Sequence, residues 1–212
     1  MELAETAIPS SNLELCLDFT DTVDWRTSDH PKNLLNSYAD LVNWSQRKGV
    51  IDVKESKKLL KLAETENATT EEALEEAISL REAIYRIFSA VAHGRKAGSS
   101  DVGILNHYLS KAMVKLEVQI TEGGYRLGWC DEELADKMLY PIAKSAAELL
   151  TSEHIGRVRE CANEEEGCGS MFLDYSKSHS RRWCSMESCG NKAKLRTYYA
   201  KHRTSANLAR RI

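Results

Sequence analysis

Four cysteines near the C-terminus are the residues of this chain whose type and spacing could do chemistry. Six residues separate Cys161 from Cys168, four separate Cys184 from Cys189, and fifteen lie between the two pairs. Four thiolates can enclose a divalent ion tetrahedrally and leave no position for a substrate. The spacing therefore favours one structural zinc ion, with two disulfides, unrelated thiols or a rubredoxin-like iron site as alternatives.

The compartment decides between metal and disulfides. The first fifteen residues have neither a basic segment nor an apolar segment of the kind found in secretory signals. The chain has no apolar run of about 18 residues that would span a membrane. We therefore expect a cytoplasmic protein without a membrane partner, in a reducing environment where clustered cysteines bind metal more often than they form disulfides.

Charge is distributed unevenly along the chain. Residues 157–212 contain 12 Lys and Arg against 6 Asp and Glu, whereas residues 1–156 contain 17 against 26. From Lys177 onward, ten cationic residues face the single acidic Glu187. Such a bias is typical of a surface that binds phosphates, and we expect DNA as the partner. The alternative is a basic tail that pairs with the acidic part of the chain or only keeps the protein in solution.

The cations concentrate on a helix expected from about Gly190 to Arg203. At 100° per residue, Lys192, Arg196 and Arg203 fall within about 40° of one another and form a ridge. Arginine can also bind guanine through two hydrogen bonds, so Arg196 is the first candidate to read a base. The predicted nucleic-acid-binding residues are Arg181, Arg182, Lys192, Lys194, Arg196, Lys201 and Arg203.

A second arc of the same helix is apolar and aromatic. It consists of Leu195, Tyr198, Tyr199 and His202. We expect this arc to pack on the rest of the protein. If the tyrosines are exposed instead, they could stack on unpaired bases, which would favour single-stranded nucleic acid.

The rest of the chain must position these groups. Alternating apolar residues over 13–19 predict a strand, and helical periods predict several helices up to about residue 150. Two strands joined across Gly123 and Gly124 predict a hairpin. The predicted fold class is α+β: a mainly helical N-terminal domain, residues 1–156, with a small antiparallel sheet, followed by a zinc-binding module, residues 157–212.

Within the module, each cysteine pair is expected to form a tight turn around the metal. The acidic residues between Cys161 and Cys168 should stay in water. A strand is predicted from Met171, with its return near Arg181, and a helix after Cys189. This order resembles a treble-clef zinc finger.

One polar segment follows the first predicted strand. Asp21, Trp25 and Arg26 lie at its end, where ligand sites are often built. They are a candidate site for a small-molecule effector. The chain carries no HExxH, P-loop, GxSxG or dinucleotide-binding motif, and we expect it not to be an enzyme.

The residues also resemble a known family. The segments SRRWCSMESCGNKAKLRTYYAKHR and CANEEEGCGSMFLDYSKSHS are similar to the CGNR zinc finger, and LELCLDFTDTVDWR is similar to the start of the ABATE domain that precedes it. The resemblance implies a bacterial-type stress-induced transcriptional regulator that binds zinc through Cys161, Cys168, Cys184 and Cys189. Lys192 replaces the arginine of the CGNR motif, and Asp21 stands where the family has asparagine.

We therefore expect a zinc-dependent DNA-binding regulator whose N-terminal domain senses a ligand. A homodimer is a further expectation, because many regulators bind symmetric half-sites as dimers. The alternatives are a zinc-stabilised module that binds a protein or single-stranded nucleic acid, and a small-molecule enzyme in the N-terminal domain.

Overall fold

The computed structural model describes residues 12–209 apart from 131 and 133, with the side chains of 201 and 203–209 left out. Within these residues the α-helices are α1 (Leu15–Thr20), α2 (Tyr38–Arg47), α3 (Val53–Thr65), α4 (Asn67–Ala92), α5 (Ser99–Met113), α6 (Leu139–Thr151) and α7 (Asn191–Ala209). The strands are β1 (Val23–Asp24), β2 (Lys32–Asn33), β3 (Leu116–Thr121), β4 (Gly124–Trp129), β5 (Val158–Glu160) and β6 (Met171–Leu173).

The predicted fold class is confirmed: the N-terminal part is mainly helical and the strands pair as three small antiparallel sheets, β1 with β2, β3 with β4, and β5 with β6. Local signals set several boundaries. The hydroxyl of Ser37 accepts from the Asp40 N–H while the Asp40 carboxylate accepts from the Ser37 N–H, a capping box that starts α2. Gly49 and Gly94 follow α2 and α4 with positive φ, as helix-ending glycines do.

The predicted strand over residues 13–19 is wrong, because this segment forms α1. Leu15, Cys16, Leu17, Phe19 and Thr20 are all buried, and α1 packs against both α4 and α6. A helix that is buried on nearly all sides has no polar face, so its sequence does not show the helical period. Alternation was therefore a poor guide here. The predicted β3–β4 hairpin across Gly123 and Gly124 is confirmed.

The zinc-binding module shares a core with the helical part. β5 pairs with β6 so that Val158 faces Leu173 and Glu160 faces Met171. Val158, Met171 and Leu173 join the large core cluster of the helices, whereas Phe172 points the other way, toward the cysteines. The small sheet is thus buried on both faces and connects the two parts rigidly.

The pairing of β6 differs from the expectation. The strand beginning at Met171 forms, but its partner is β5, which precedes the first cysteine pair. Residues 181–183 form no strand, so the predicted return near Arg181 is wrong. The Asp174 carboxylate accepts hydrogen bonds from the N–H groups of Ser176 and Arg181, and these bonds hold the chain in an irregular loop. None of the helices in the described part of the chain is long and apolar enough to cross a bilayer.

Candidate metal centre and basic helix

The four predicted ligands come together. The Sγ atoms of Cys161, Cys168, Cys184 and Cys189 all lie within 4.8 Å of one another. Cys184 Sγ lies 3.7 Å from both Cys168 Sγ and Cys189 Sγ. Four sulfurs at about 2.3 Å from a zinc ion form a tetrahedron whose edges are about 3.8 Å. The cluster therefore fits one zinc ion with four thiolate ligands, as the sequence predicted.

The first cysteine pair is closed by a turn that needs glycine. A short 3-10 helix, Glu164–Glu166, leads into Gly167, and Gly167 and Gly169 both have positive φ near 65°. A Cβ on Gly167 would lie 2.4 Å from the Ser28 backbone. The turn therefore requires glycine for its backbone conformation and for the close approach of the N-terminal part. We call residues 161–169 the first knuckle.

The second cysteine pair leads directly into α7. The Ser185 hydroxyl accepts from the Ser188 N–H, and a single π-type turn, Met186–Gly190, carries Cys189 to the start of the helix. A Cβ on Gly190 would lie 2.7 Å from Met186 Sδ, so a side chain here would require the exposed Met186 side chain to move. Because the ligand Cys189 stands two residues before Asn191, the first residue of α7, a bound metal would fix where the helix begins and the direction of its axis.

The sulfur cluster is prepared for metal binding by its own polar contacts. The Cys184 N–H donates to Cys161 Sγ at 3.4 Å. Hydrogen bonds from the thiols of Cys168 and Cys184 lower the pKa of Cys161 to about 3. The same interactions and burial raise the pKa of Cys184. Cys161 is thereby biased toward the thiolate form, which is the form that binds a metal.

The segment predicted as an effector site contacts the first knuckle. The N–H groups of Arg26 and Thr27 donate to the carbonyls of Cys168 and Gly167, at 3.1 and 3.0 Å. Asp21 Oδ1 accepts from the Met171 N–H at 3.1 Å. The structure thus brings the predicted residues Asp21, Trp25 and Arg26 to the junction between the helical part and the metal centre. We call residues 21–28 the clasp.

Two side chains of the clasp are held on both sides of this junction. The Arg26 guanidinium pairs with Glu82 at 2.6 Å, donates to the Thr20 carbonyl and lies 4.2 Å above the Tyr85 ring. The Trp25 ring lies 4.2 Å from Lys192 Nζ on α7. The backbone of Trp25 has a φ of 53°, a conformation that non-glycine residues seldom adopt. The clasp is therefore a constrained bridge from α4 to α7.

Burial changes the ionisation of the clasp carboxylate Asp21. Removal from water raises the pKa of Asp21 to about 7, and the hydrogen bond from the Met171 N–H opposes this rise only in part. An asparagine, which the resemblance implies at this position, would accept the same hydrogen bond without a charge.

The acidic residues of the first knuckle are exposed or half-buried, as expected, but two of them also pair with cations of α7. Glu166 pairs with Lys192 at 3.1 Å and with Arg196 at 2.9 Å, and Glu165 pairs with Arg196 at 2.6 Å. Asn163 Oδ1 also accepts from the Arg196 guanidinium. The sequence signal was available, since an acidic triplet and a basic ridge lie in one small module. To predict these ion pairs, however, one would have to know that the first knuckle and α7 lie side by side.

The other predicted cations differ in their surroundings. The Arg181 guanidinium lies 4.6 Å above the Phe172 ring and donates to the carbonyls of Trp183 and Cys184. Arg182 lies 4.9 Å from the Trp183 ring and is exposed. Lys194 is exposed, and neither it nor Arg182 pairs with an acidic group among the described side chains. The side chains of the predicted residues Lys201 and Arg203 lie outside the described part.

The aromatic arc of α7 is exposed, and the expectation that it packs on the protein is wrong. Leu195 is 54% exposed, and Tyr198 and Tyr199 are each 57% exposed. The Tyr198 ring lies 4.2 Å from the His202 ring and 5.7 Å from the Tyr199 ring. Beyond its first turn, α7 extends away from the rest of the protein, so this arc faces solvent. Packing was expected from composition alone, which does not reveal where a helix projects.

A second polar network links α4 to the metal centre. The hydroxyls of Tyr85 and Ser89 donate to the Glu160 carboxylate at 2.9 and 2.8 Å, and Glu160 immediately precedes Cys161. A cleft of about 240 Å³ adjoins this network and is lined by Tyr85, Arg86, Ser89, Ala90, Arg95 and Lys96. Its volume is below the range of about 300 to 1,000 Å³ typical of small-molecule pockets.

Comparison with known proteins agrees with this architecture. The profile of the ABATE family, described as "Putative stress-induced transcription regulator", matches residues 13–153. The profile of the CGNR zinc finger matches residues 157–202. No curated protein matches the chain. Because the first profile covers more than half of the sequence and the second covers the cysteine cluster, the chain belongs to the ABATE family and carries a CGNR zinc finger.

Proposed function

We propose that this protein is a zinc-dependent regulator of transcription that binds double-stranded DNA through its finger and catalyses no reaction. The observation that carries the proposal is the metal cluster at the start of α7: four cysteines fix an exposed helix that bears cations on a protein whose remaining part is acidic. The acidic part repels DNA and the finger attracts it, so that electrostatics orients the encounter.

The exposed cations suggest which contacts form first. Arg182, which lies two residues before Cys184, and Lys194, in the first turn of α7, are exposed and can meet phosphates. Lys192 and Arg196 are paired with the first knuckle and would have to exchange carboxylates for phosphates. Contacts of this kind place the protein on the duplex without reading its sequence. Direct reading of a base by Arg196 would require that exchange.

Salt dependence tests this function. Binding of a labelled duplex is measured by fluorescence anisotropy for the zinc-loaded chain from about 50 to 300 mM salt. The logarithm of affinity should fall by about 0.9 per phosphate contact for each decade of salt. The double variant Arg182→Ala/Lys194→Ala should make this salt slope shallower by the amount that about two phosphate contacts contribute.

A matched control removes the same charge elsewhere. Lys57 and Lys61 are exposed on α3, in the helical part of the chain. Lys57→Ala/Lys61→Ala should keep the slope of the parent protein. A flat salt response of the parent, or equal slopes for the two double variants, would show that the finger does not bind DNA in this way.

A second candidate function is supported by the exposed aromatic arc. Tyr198 and Tyr199 present ring faces next to the basic residues of α7, and stacking of a base on an aromatic ring contributes about 1 to 3 kcal/mol. This arrangement suits single-stranded nucleic acid. A single strand should then bind more tightly than its duplex, and Tyr199→Ala should remove the difference. The third candidate, a protein partner, would be favoured by weak DNA binding that depends little on salt.

The sensing role is also a proposal. The clasp touches both α4 and the first knuckle, so a ligand that displaced it would loosen the contact between the helical part and the finger. Regulation by an effector would then act through the placement of α7. Hydrogen exchange of the backbone N–H groups of Arg26 and Thr27, followed with and without a candidate effector, measures that coupling directly.

A further inference from the structure

One face of the β3–β4 hairpin is entirely apolar. The strands pair so that Leu116 faces Trp129, Val118 faces Leu127 and Ile120 faces Tyr125. Successive side chains of a strand point to opposite sides, so all of these pairs lie on one face of the sheet. We call it the hairpin face, and it consists of Leu116, Val118, Ile120, Tyr125, Leu127 and Trp129.

Most of the hairpin face is open to solvent. Val118 is 67% exposed, Ile120 84%, Tyr125 80% and Leu127 51%. A fully exposed side chain of this size presents about 150 to 250 Å², so these residues together expose roughly 500 Å² of apolar surface. The largest apolar patch of a typical monomer is about 300 to 600 Å² and often marks an interaction site.

The opposite face of the same hairpin is different. It carries Glu117, Gln119 and Arg126, of which Glu117 is exposed and the other two are half-buried. The hairpin is attached to the helical part at its base, where the Trp129 ring lies 5.9 Å from the Tyr140 ring of α6. A two-stranded sheet is marginally stable alone and needs one face covered. The outer part of the hairpin face, formed by Val118, Ile120, Tyr125 and Leu127, is exposed and has no such cover.

We propose that the hairpin face binds the hairpin face of a second copy of this chain. None of its six side chains is charged, so the face offers no group that would pair with the phosphates of a nucleic acid or with a charged peptide. An identical apolar face can cover it without leaving a charge unpaired. Two such faces related by a two-fold axis complement each other. Side chains of the two sheets would interdigitate, with the sheets about 10 Å apart.

The available area is sufficient for a stable dimer. Met113 and Val114, which directly precede β3, are 51% and 78% exposed and extend the apolar surface at the hairpin base. With them and the polar rim, each copy would bury close to the 800 Å² or so per partner that specific interfaces use. The dimer joins the N-terminal parts of two chains and carries one zinc finger on each copy.

Molar mass in solution tests this interface without DNA. The zinc-loaded full chain, 23.9 kDa, is studied by sedimentation velocity between about 1 and 100 µM. The parent protein should sediment as a dimer at the higher concentrations. Ile120→Lys introduces a charge on the most exposed residue of the hairpin face, beside Tyr125 near the turn, and should weaken dimerisation at least a hundredfold. Because Ile120 is exposed in the single chain, the variant should retain the circular dichroism spectrum and zinc content of the parent.

The control places the same residue on the other face. Glu117→Lys should remain dimeric, since Glu117 points away from the interface. If Ile120→Lys fails to fold, Tyr125→Ser decides the question with a smaller change. A parent protein that is monomeric up to 100 µM would overturn the proposal and leave the face to another partner. So would dimers that persist in the face variants, because their interface would lie elsewhere.

Discussion

At the scale of single residues, buried charge has the clearest consequence. Asp21 accepts the Met171 N–H with a carboxylate whose pKa is raised to about 7 by burial. A raised carboxyl pKa means that the folded state holds its proton more strongly than the unfolded state. The contribution to stability is therefore complete below about pH 4 and is lost as the pH rises toward 7.

Asp21→Asn should consequently stabilise the protein. The amide oxygen keeps the hydrogen bond to Met171 and removes the charge, so we expect a gain on the order of 1 to 2 kcal/mol at pH 8 and a smaller gain at pH 5. Chemical unfolding of the zinc-loaded protein at both pH values measures it. Asp24→Asn removes an exposed carboxylate of the same segment and serves as control. Equal gains at pH 5 and pH 8 would contradict the buried-charge explanation.

The ion pairs of the first knuckle make a second prediction at this scale. Glu166 pairs with both Lys192 and Arg196, and these cations hold the pKa of the Glu166 carboxyl below its ordinary value. Glu166→Gln should free Lys192 and leave Arg196 held only by Glu165 and Asn163, so that duplex affinity rises up to about tenfold at low salt, with a steeper salt slope. Anisotropy titrations measure both quantities.

Glu164 provides the matched comparison for this variant. It is exposed in the same turn and forms no ion pair within the described part of the chain. Glu164→Gln changes the net charge equally but frees neither cation, so its effect should be small. Similar gains in the two variants would assign the effect to net charge alone.

At the scale of elements, the first knuckle depends on a glycine that the clasp approaches closely. Gly167→Ala would force alanine into a positive φ and place its Cβ 2.4 Å from the Ser28 backbone. We expect a loss of at least about 2 kcal/mol in unfolding free energy, together with faster loss of zinc to a chelator. Gly156→Ala is the control, since a Cβ there meets nothing within 4 Å. Unchanged zinc retention in Gly167→Ala would show that the clasp does not support the metal centre.

Elements also show how far sequence alone could predict this structure. The metal ligands followed from the spacing of four cysteines, and the β3–β4 hairpin followed from paired glycines, because both signals are local. The identity of α1 did not follow, since burial on nearly all sides removes the polar positions that distinguish helix from strand. The pairing of β6 with β5 depended on contacts with the helical core that no local pattern contains.

The candidate site was likewise predictable only in part. The sequence shows which residues of α7 are cationic, but it does not show which of these cations already form ion pairs within the protein. Lys192 and Arg196 are held by the first knuckle, and the clasp, predicted as a ligand site, contacts that knuckle. These are relations between segments more than 20 residues apart. No local sequence pattern contains these contacts, because the segments meet only where the cysteine cluster brings them together.

At the scale of the whole molecule, the helical part and the zinc finger are connected by direct contacts. The β5–β6 sheet shares the core of the helical part, the clasp contacts the first knuckle, and the cysteine cluster sets the start of α7. The free energy of binding a structural zinc ion, about 10 to 16 kcal/mol in small fingers, would contribute to folding of this end of the chain. Removal of zinc should therefore disorder the finger while the helical core stays folded.

The central claim is that zinc places the basic helix for binding. Its most direct test is duplex affinity of the full chain in three states: zinc-loaded, metal-free after chelation, and reloaded with one equivalent of zinc. We predict that salt-dependent binding is lost in the metal-free protein and returns at one zinc per chain, while circular dichroism shows that most helix persists throughout. Equal affinity and equal salt slope in the metal-free and zinc-loaded protein would contradict the account.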